Sequence, residues 1–546
     1  MPPRKRFPIL LAILLPLAAA AAYLLLDPFR SARARKRAPR IVVVTLDTLN
    51  VRYAAPYNPE VATTPWLAGF AEEGVVFQRA YTAVPSTLPS HAGLFAGRDP
   101  AEMGIFVNGQ VVPDEVETLA EMLGRRGYRT GAFVSLGVLR RRFGLAQGFQ
   151  TYDDRRFREN RRWYLTADEV LAGAAEWVRE NADDPFLLWF HLSDPHEPYQ
   201  TVDAPPNARL TLDGETIGEW NVTDKRRRLT RIELPPGRHT LTWTSLRPPA
   251  EDDFPETAVT LRFHKPKELA QWIEDPAVDL REEVDLAEPF SVELVNRGAR
   301  DETVFHIFSG KLTAPPPSAV LDAYPREVAY ADHHLAELER LLRELGIGSD
   351  TLWVVVSDHG EGLFNHQILG HAVFAQEDQL RVAWMMKGPG VARGRVIDGA
   401  EALMEDVVPT LLDLLGLPEP SAVTGRSRAP CWRGGCEPRR LWWGFGASVE
   451  SNQITALAGY RWPFKRLWQP EPGSGCFQIG EDPWEHENLC PGEVRSVREL
   501  PPELGRLERD LRDRLADLQA RMDAAEGGAG ERERDEILRA LGYVGN

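Results

Sequence analysis

The chain has 546 residues, the length of two or three domains, and its hydrophobic content of 43% is sufficient for a large buried core. Nine Lys or Arg and one Asp lie in the first 40 residues, so the remainder holds 55 basic and 79 acidic residues. An acidic body of this kind argues against nucleic acid as a main partner, since phosphate backbones would repel it.

Residues 7–26 form an apolar run directly behind the basic triplet Arg4-Lys5-Arg6. About 20 apolar residues are enough to span a bilayer as a helix. A cleaved signal peptide is the alternative, with its cleavage region among the alanines of residues 18–22. Because the run continues beyond those alanines, we expect residues 1–40 to anchor the protein in a membrane. The flanking charges favour the opposite orientation, but we expect an extracytoplasmic body, periplasmic or extracellular.

Three short runs rich in β-branched and aromatic residues predict buried parallel strands. They are residues 41–46, 186–191 and 352–356. Helical stretches lie between the strands, including residues 116–126 and 327–345. This alternation predicts an α/β fold with a mixed, mostly parallel sheet sandwiched by helices.

Acidic residues follow each of these three strands. Asp47, Asp194 and Asp358 come just past the strand ends. In open α/β sheets, ligands bind beyond the carboxyl ends of the strands. The three carboxylates are therefore candidates for one site.

Residues 205–317 interrupt the alternation with short strands and turn signals, which predict an inserted all-β sandwich. Proline pairs or triplets mark both of its ends. The catalytic domain is then predicted to comprise residues 41–204 and 318–440. Packing, a lid and substrate binding are all open as roles of the insert, and we favour packing.

Residues 441–546 predict a C-terminal subdomain. Leucines at spacings of three and four over residues 501–523 predict an amphipathic helix, packed on the core in preference to a coiled-coil partner. Residues 527–535 are typical of a mobile linker, and residues 537–543 of a short docking segment.

The chain has four cysteines, all in its last quarter: Cys431, Cys436, Cys476 and Cys490. Two disulfides in an oxidising compartment are one interpretation, and a zinc site of four thiolates is the other. The spacings are loose for zinc, so we favour disulfides.

The residues that suggest chemistry are those of a metal-dependent ester-cleaving site. A hard divalent cation holds a tetrahedral anion through oxygen ligands and lowers the pKa of a coordinated hydroxyl. Thr87 precedes a predicted helix N-terminus, where the dipole favours an anion. Each residue alone is typical of a turn or cap, but together they predict a metal site of Asp47, Thr87, Asp358 and His359.

A long series of motifs resembles the sulfatase family of the alkaline-phosphatase superfamily. The nucleophile segment is represented by residues 83–97, which contain Thr87-Leu-Pro-Ser-His. Other motifs follow the family's order over residues 41–204 and 318–490, among them Asp47-Thr-Leu, Thr64-Pro-Trp-Leu, Asn108-Gly, Asp194-Pro-His-Glu-Pro-Tyr, Ser357-Asp-His-Gly-Glu361, Gly388-Pro-Gly-Val and Asp406-Val-Val-Pro-Thr.

The resemblance implies an alkaline-phosphatase-like fold and roles for particular residues. Asp47, Asp358 and His359 are implied as ligands of a divalent metal, which would be Ca, Mg, Mn or Zn. Thr87 is implied as the nucleophile and as a metal-facing hydroxyl.

Four further residues are implied on the substrate side. His196 would contact the ester and protonate the leaving group, and His371 would be a second substrate-side group. A hydrogen-bonded structural role is the alternative for both histidines. Asn108 and His91 are implied as substrate-binding residues.

The sequence also departs from the family pattern. Thr87 replaces the Cys or Ser that sulfatases convert to formylglycine, which favours a covalent threonine ester. The other departures are Thr48 for a second Asp, Asn50 and Arg52 for Arg and Asp, His91 for the motif Arg, and Met103 for a common His.

We therefore predict a membrane-anchored, metal-dependent hydrolase of phospho- or sulfoesters with a Thr nucleophile. Its expected partner is an anionic ester substrate, with a glycan or lipid as candidate carrier. A phosphoryl transferase onto a glycan or lipid is one alternative. A non-catalytic sulfatase-like binding protein is the other. The altered pocket edge favours this binder, whereas retention of all four proposed metal-site residues favours an enzyme.

Overall fold

The computed structural model describes most of the chain beyond residue 38. The described residues are 39–155, 157, 164–197, 199, 208–220, 229–245, 257–264, 283–285, 290–296, 302–312, 317–470, 473–490 and 501–525. None of the helices in these ranges is long and apolar enough to cross a bilayer. The predicted anchor, the linker of residues 527–535 and the docking segment of residues 537–543 lie outside the described residues.

An eight-stranded sheet forms the centre of the fold. From edge to edge its strands are Arg395–Ile397, Val75–Phe77, Trp384–Lys387, Thr351–Ser357, Arg40–Leu46, Phe186–Leu192, Arg129–Phe133 and Thr151–Asp153. Trp384–Lys387 is antiparallel to both of its neighbours, and every other neighbouring pair is parallel. The predicted mixed, mostly parallel α/β sheet is confirmed.

The three strands predicted from sequence are direct neighbours in this sheet. Their side chains are buried on both faces, as continuous apolar runs require. Thr45 on the middle strand pairs with Val356 on one side and with His191 on the other. The residues that follow the three strands therefore meet at one edge.

The described part of the chain contains nine helices. They are Pro65–Glu73, Thr87–Ala96, Leu119–Gly124, Ala167–Asn181, Pro317–Glu344, Glu377–Leu380, Val407–Leu415, Ala429–Arg433 and Pro502–Ala524. Short 3-10 turns lie at Val51–Tyr53, Pro100–Met103, Gly137–Leu139, Arg141–Phe143, Gly348–Asp350 and Met404–Asp406.

Two predicted helices have different ends in the structure. The helix predicted over residues 116–126 begins only at Leu119, because Thr118 and Glu121 form a capping box there. The helix predicted from residue 327 already begins at Pro317 and runs through Pro325. Its packing against Ala167–Asn181 and Pro65–Glu73 stabilises it despite the internal proline.

The insert contains two antiparallel four-stranded sheets, in agreement with the predicted all-β structure. One consists, in spatial order, of Phe290–Asn296, Gly237–Ser245, Ala208–Leu212 and Glu215–Trp220. The other consists of Glu283–Asp285, Thr257–His264, Glu302–Leu312 and Leu229–Leu234. The boundaries 205 and 317 stay a prediction, because neighbouring residues lie outside the described ranges.

A further antiparallel sheet lies in the C-terminal subdomain. Its strands are Trp442–Ser448, Gln453–Arg461, Phe464–Trp468 and Gly475–Phe477. The helix Pro502–Ala524 packs on two of these strands through its buried apolar stripe, Leu504, Leu507, Leu511, Leu518 and Met522. This is the core-facing helix that the leucine spacing predicts.

Small sheets complete the architecture. Ala80–Tyr81 pairs with Arg381–Val382 and Ala402–Leu403, and Gly362–Leu363 pairs with Leu369–Gly370.

All four cysteines are disulfide-bonded. Cys431 pairs with Cys436, and Cys476 pairs with Cys490. No free cysteine is left, so the alternative of a zinc site with four thiolates is wrong.

Candidate active site

Three potential metal ligands meet at the carboxyl edge of the central sheet. Asp47 follows the strand Arg40–Leu46, while Asp358 and His359 follow Thr351–Ser357. One ligand atom of each side chain lies within 4.8 Å of the others, and all three residues are completely buried. The sheet topology therefore brings together residues that are more than 300 positions apart in sequence.

The hydrogen bonds leave suitable atoms free for a cation. Asp47 Oδ1 and Asp358 Oδ2 are buried without a hydrogen-bond partner among the described residues. His359 Nδ1–H donates to the carbonyl oxygen of Gly360 at 2.9 Å, so Nε2 carries a lone pair. That Nε2 lies 3.8 Å from Asp47 Oδ1 and 3.4 Å from Asp358 Oδ2. Buried carboxylates require compensation, and this donor set fits a divalent cation.

The two carboxyl groups have pKa values shifted in opposite directions. Burial, and next the charge of Asp47, raise the pKa of Asp358 well above its usual value. Burial opposes ionisation of Asp47 too, but the hydrogen bond from His191 and the nearby histidines lower its pKa below the usual range. Such a split is expected where two carboxylates share one site. A divalent cation between them would hold both ionised.

Thr87 lies beside this group, as predicted. It is the first residue of the helix Thr87–Ala96 and is completely buried. Its Oγ1 lies 3.5 Å from His359 Nε2. Since Nε2 has no hydrogen, the hydroxyl is the donor in this contact, and the same oxygen can face a cation held by His359.

The first turn of this helix is fixed against the metal-binding group. Asn108 Oδ1 accepts the backbone N–H of Leu88 at 2.8 Å. Ser90 Oγ donates to the carbonyl oxygen of Asp358 at 2.6 Å. Asn108 therefore holds the first turn of the helix Thr87–Ala96, and its predicted contact with the anion stays a prediction.

His91 borders a metal ligand. Its Nδ1–H donates to the carbonyl oxygen of Thr87 at 2.7 Å, and Nδ1 lies 3.6 Å from Asp358 Oδ2. Burial lowers the pKa of His91 to about 3, so the imidazole is neutral. In this chain a neutral side chain therefore stands where the family motif has Arg, and its role in substrate binding stays a prediction.

His196 and His371 lie together beside His359. Their ring centroids are 5.0 Å apart, and the ring of His371 is 4.5 Å from that of His359. His196 Nδ1–H donates to the carbonyl oxygen of Glu197 at 2.6 Å, so in the neutral ring Nε2 is the nitrogen without a hydrogen. Burial lowers the pKa of His196.

Glu361 gives His371 a different electrostatic environment. His371 Nδ1 lies 3.2 and 3.3 Å from the two carboxylate oxygens of Glu361. Burial opposes protonation of His371, but the Glu361 carboxylate outweighs it and raises the pKa of His371. The pKa of His196 is thus lowered while that of His371 is raised, and such opposite shifts are common in sites of acid–base chemistry.

Two residues at this site have no role in the sequence prediction. His191 Nε2 lies 3.3 Å from Asp47 Oδ2, and Glu361 binds His371. His191 ends the predicted strand of residues 186–191, and Glu361 belongs to the Asp-His-Gly-Glu motif. The strand end at His191 and the motif around Glu361 are sequence signals, but neither reports which atoms these side chains contact.

Asp194 does not join the metal-binding group. Its Oδ1 accepts the backbone N–H of Ala167 at 3.1 Å, at the start of the helix Ala167–Asn181. The grouping of three strand-end carboxylates is therefore correct for Asp47 and Asp358 and wrong for Asp194. A carboxylate at a helix N-terminus is a favourable arrangement in itself.

The departures from the family pattern supply no extra ligand. Thr48 Oγ1 donates to the carbonyl oxygen of Asp47 at 2.7 Å, and the Thr48 amide donates to Asp358 Oδ1 at 3.1 Å. Arg52 Nε is 3.1 Å from Asp378 Oδ1, and its guanidinium stacks 3.7 Å from the ring centroid of Trp484. These residues support the loop behind Asp47.

Comparison with known proteins gives a consistent result. A family model described as Sulfatase matches residues 39–417. An arylsulfatase of Clostridium perfringens is 23% identical over 475 residues, which cover 84% of this chain and 92% of the relative.

Solved structures agree at the level of the fold. A 2-O GAG sulfatase superposes with a TM-score of 0.57 at 17% identity, covering 91% of this chain and 96% of the other. A phosphonate monoester hydrolase of Agrobacterium radiobacter superposes with a TM-score of 0.56 at 16% identity, covering 89% and 96%.

Proposed function

The chain belongs to the sulfatase family, and from that premise we propose that it is a metal-dependent ester hydrolase whose nucleophile is the Thr87 hydroxyl. The observation that carries the proposal is the position of Thr87 Oγ1, 3.5 Å from His359 Nε2. This oxygen stands at the edge of a buried group of two carboxylates and one imidazole. A hydroxyl beside a buried cation-binding group is suited to attack on an anionic ester. None of these residues alone would support that attack.

A divalent cation held by Asp47, Asp358 and His359 would draw charge from the ester oxygens and lower the pKa of the Thr87 hydroxyl. Thr87 loses its proton to water, and Oγ1 forms a bond to phosphorus or sulfur. The bond to the leaving oxygen breaks, and that oxygen keeps the electron pair. Water then attacks the same centre and releases a proton to bulk water. The bond to Oγ1 breaks, and Oγ1 takes up a proton from water, which restores the free hydroxyl.

Two histidines assist this sequence. His196 Nε2 gives a proton to the leaving oxygen, and the bound anionic ester favours its protonated form despite its burial. His371, whose pKa the Glu361 carboxylate raises, lies beside it and in its protonated form attracts the anionic oxygens. His196 thus transfers the proton, and His371 stabilises the negative charge.

We predict that replacing His196 with alanine slows the hydrolysis of poor leaving groups by about 10²–10⁴-fold, the range for one general acid. The alkoxide leaving group of an alkyl ester needs protonation as it departs, whereas the nitrophenolate of a nitrophenyl ester does not. The measurement is kcat on both ester types for the variant and the wild type, with saturating metal. An equal loss on both types would assign His196 a positioning role in place of an acid.

Phosphorus substrates are expected to be turned over faster than sulfate esters. A hydrated aldehyde can expel sulfate by breakdown of its hemiacetal, whereas a threonine ester must be attacked directly at phosphorus or sulfur. In the phosphorus intermediates the negative charge is shared by two non-bridging oxygens instead of the three of a sulfate ester, so each oxygen gains more from a cation. The test compares phosphodiester, phosphonate and sulfate esters of one phenol. Efficient aryl sulfate hydrolysis with inert phosphodiesters would contradict the preference.

A transferase and a non-catalytic binder are the alternatives. The buried group of Asp47, Asp358 and His359 favours an enzyme over a binder. Product analysis separates hydrolase from transferase, because a transferase leaves the head group on an added glycan or lipid acceptor. We expect release to water.

The same proposal places the body outside the cytoplasm, attached through residues 1–40. The two disulfides support an oxidising compartment. We expect the full chain to sediment with membranes and a chain starting at residue 39 to be released from them. Equal release of both chains after cell fractionation would contradict the anchor.

A further inference from the structure

His191 contacts a metal ligand from the neighbouring strand. Its Nε2 lies 3.3 Å from Asp47 Oδ2, and both side chains are completely buried. The backbone sets this contact. His191 pairs with Thr45 in the parallel ladder, and the amide of Asp47 donates to the carbonyl oxygen of Leu192 at 2.8 Å. The ring and the carboxylate are thus on adjacent strands whose register is fixed.

The other side of the imidazole determines its tautomer. The backbone N–H of Ser135 points to His191 Nδ1 at 3.3 Å, and Ser135 Oγ lies 2.8 Å from the same nitrogen. A backbone amide can only donate, so Nδ1 accepts and Nε2 carries the hydrogen. Ser135 Oγ also contacts Ser193 Oγ at 2.8 Å, which extends the network. His191 therefore directs an N–H at Asp47 Oδ2.

This hydrogen bond leaves the other oxygen of Asp47 for the cation. Oδ1 has no hydrogen-bond partner among the described residues and lies 3.8 Å from His359 Nε2. A carboxylate with one oxygen held by a donor cannot rotate freely, so Oδ1 stays directed at the metal site. Partners of this kind orient metal ligands and tune affinity.

We propose that His191 is a positioning residue of the metal site, which holds Asp47 so that Oδ1 faces the cation and thereby raises the affinity for it. The inference depends on one part of the proposed function, namely that Asp47, Asp358 and His359 bind a cation. A purely structural histidine in this place would contribute to the stability of the cation-free protein, and its loss would leave the affinity for the cation unchanged.

Two substitutions separate these roles. In His191→Gln, the side-chain amide reaches the position of Nε2 and can still donate to Asp47. In His191→Asn, the side chain stays polar but is too short to reach Asp47 Oδ2. Both variants retain a polar group for the Ser135 side of the network, which favours folding.

The experiment is calorimetric titration of the chelator-treated full-length protein with Mn²⁺ and, in parallel, with Ca²⁺. Thermal unfolding in chelator measures the stability of the cation-free protein. We expect His191→Asn to weaken metal binding by about 10–100-fold, the usual effect of losing such a partner. His191→Gln should bind close to the wild type.

The outcomes are distinguishable. A folded His191→Asn variant with wild-type metal affinity would overturn the positioning role and leave the proposed function standing. A wild type that binds neither cation would overturn the metal site and this inference together. If His191→Asn does not fold, His191→Gln provides the test. A His191→Gln protein whose metal affinity falls as far as after loss of a metal ligand would show that the histidine does not act by donating to Asp47.

Discussion

Replacing Thr87 with alanine is expected to lower kcat by about a thousandfold or more, because removal of a nucleophile abolishes the covalent route. A thousandfold corresponds to about 4 kcal/mol of transition-state stabilisation. The fold should persist. The Thr87 hydroxyl contacts His359 Nε2 at 3.5 Å, and a lost hydrogen bond of this kind costs about 1 kcal/mol of stability.

Thr87→Ser is the matched control, since it keeps the hydroxyl and removes only a methyl group. We expect it to retain most of the activity that the alanine variant loses. Both variants should be assayed with saturating metal on one substrate, because the Thr87 oxygen also faces the metal site. Near-normal turnover by Thr87→Ala would remove Thr87 from the mechanism.

Replacing Asp358 with asparagine is expected to weaken binding of a divalent cation by more than about 100-fold, beyond the loss typical of an outer partner. Asp358 Oδ1 accepts the amides of Thr48 and His359 at 3.1 and 2.8 Å. The amide oxygen of asparagine preserves these bonds while the charge on the metal-facing side is removed. Activity should fall in parallel and recover in part at high metal concentration.

Asp194→Asn provides the control for this variant. Asp194 also follows a strand end, but it accepts the amide of Ala167 at a helix start. Its substitution should cost about 1 kcal/mol or less of stability, as for a helix cap, and should leave metal affinity unchanged. Metal analysis of the purified proteins and thermal unfolding check both expectations. Equal metal content in Asp358→Asn and the wild type would contradict the site.

The sequence predicts the central sheet well because its strands are buried on both faces. Residues 41–46, 186–191 and 352–356 are apolar runs that no amphipathic helix would contain, and all three are adjacent strands. Helix ends are less predictable. The capping box at Thr118 and the internal Pro325 depend on contacts that periodicity does not report.

Part of the site follows from the same reasoning. Carboxyl ends of neighbouring parallel strands meet at one edge, which is why Asp47 and Asp358 were grouped correctly. Asp194 satisfies the same rule, yet its side chain faces a helix N-terminus. The direction of a side chain after a strand end depends on local dihedrals, so the rule places a residue near the edge without fixing its contacts.

The partners of the site residues were beyond prediction. His191 meets Asp47 only because its strand pairs with Arg40–Leu46 in one register, and Glu361 meets His371 across ten residues. No periodic pattern in the sequence indicates either of these two side-chain contacts. The proposed role of Thr87 rests on its resemblance to a family motif and on its distance to His359.

The stereochemical outcome of hydrolysis tests the Thr87 nucleophile most directly. The substrate is an ester made chiral at phosphorus, or at sulfur if sulfate esters prove faster, with oxygen isotopes. Attack by Thr87 followed by attack by water inverts the centre twice, so the account predicts net retention of configuration in the wild type. Net inversion would mean a single direct attack by water and would contradict a covalent threonine ester.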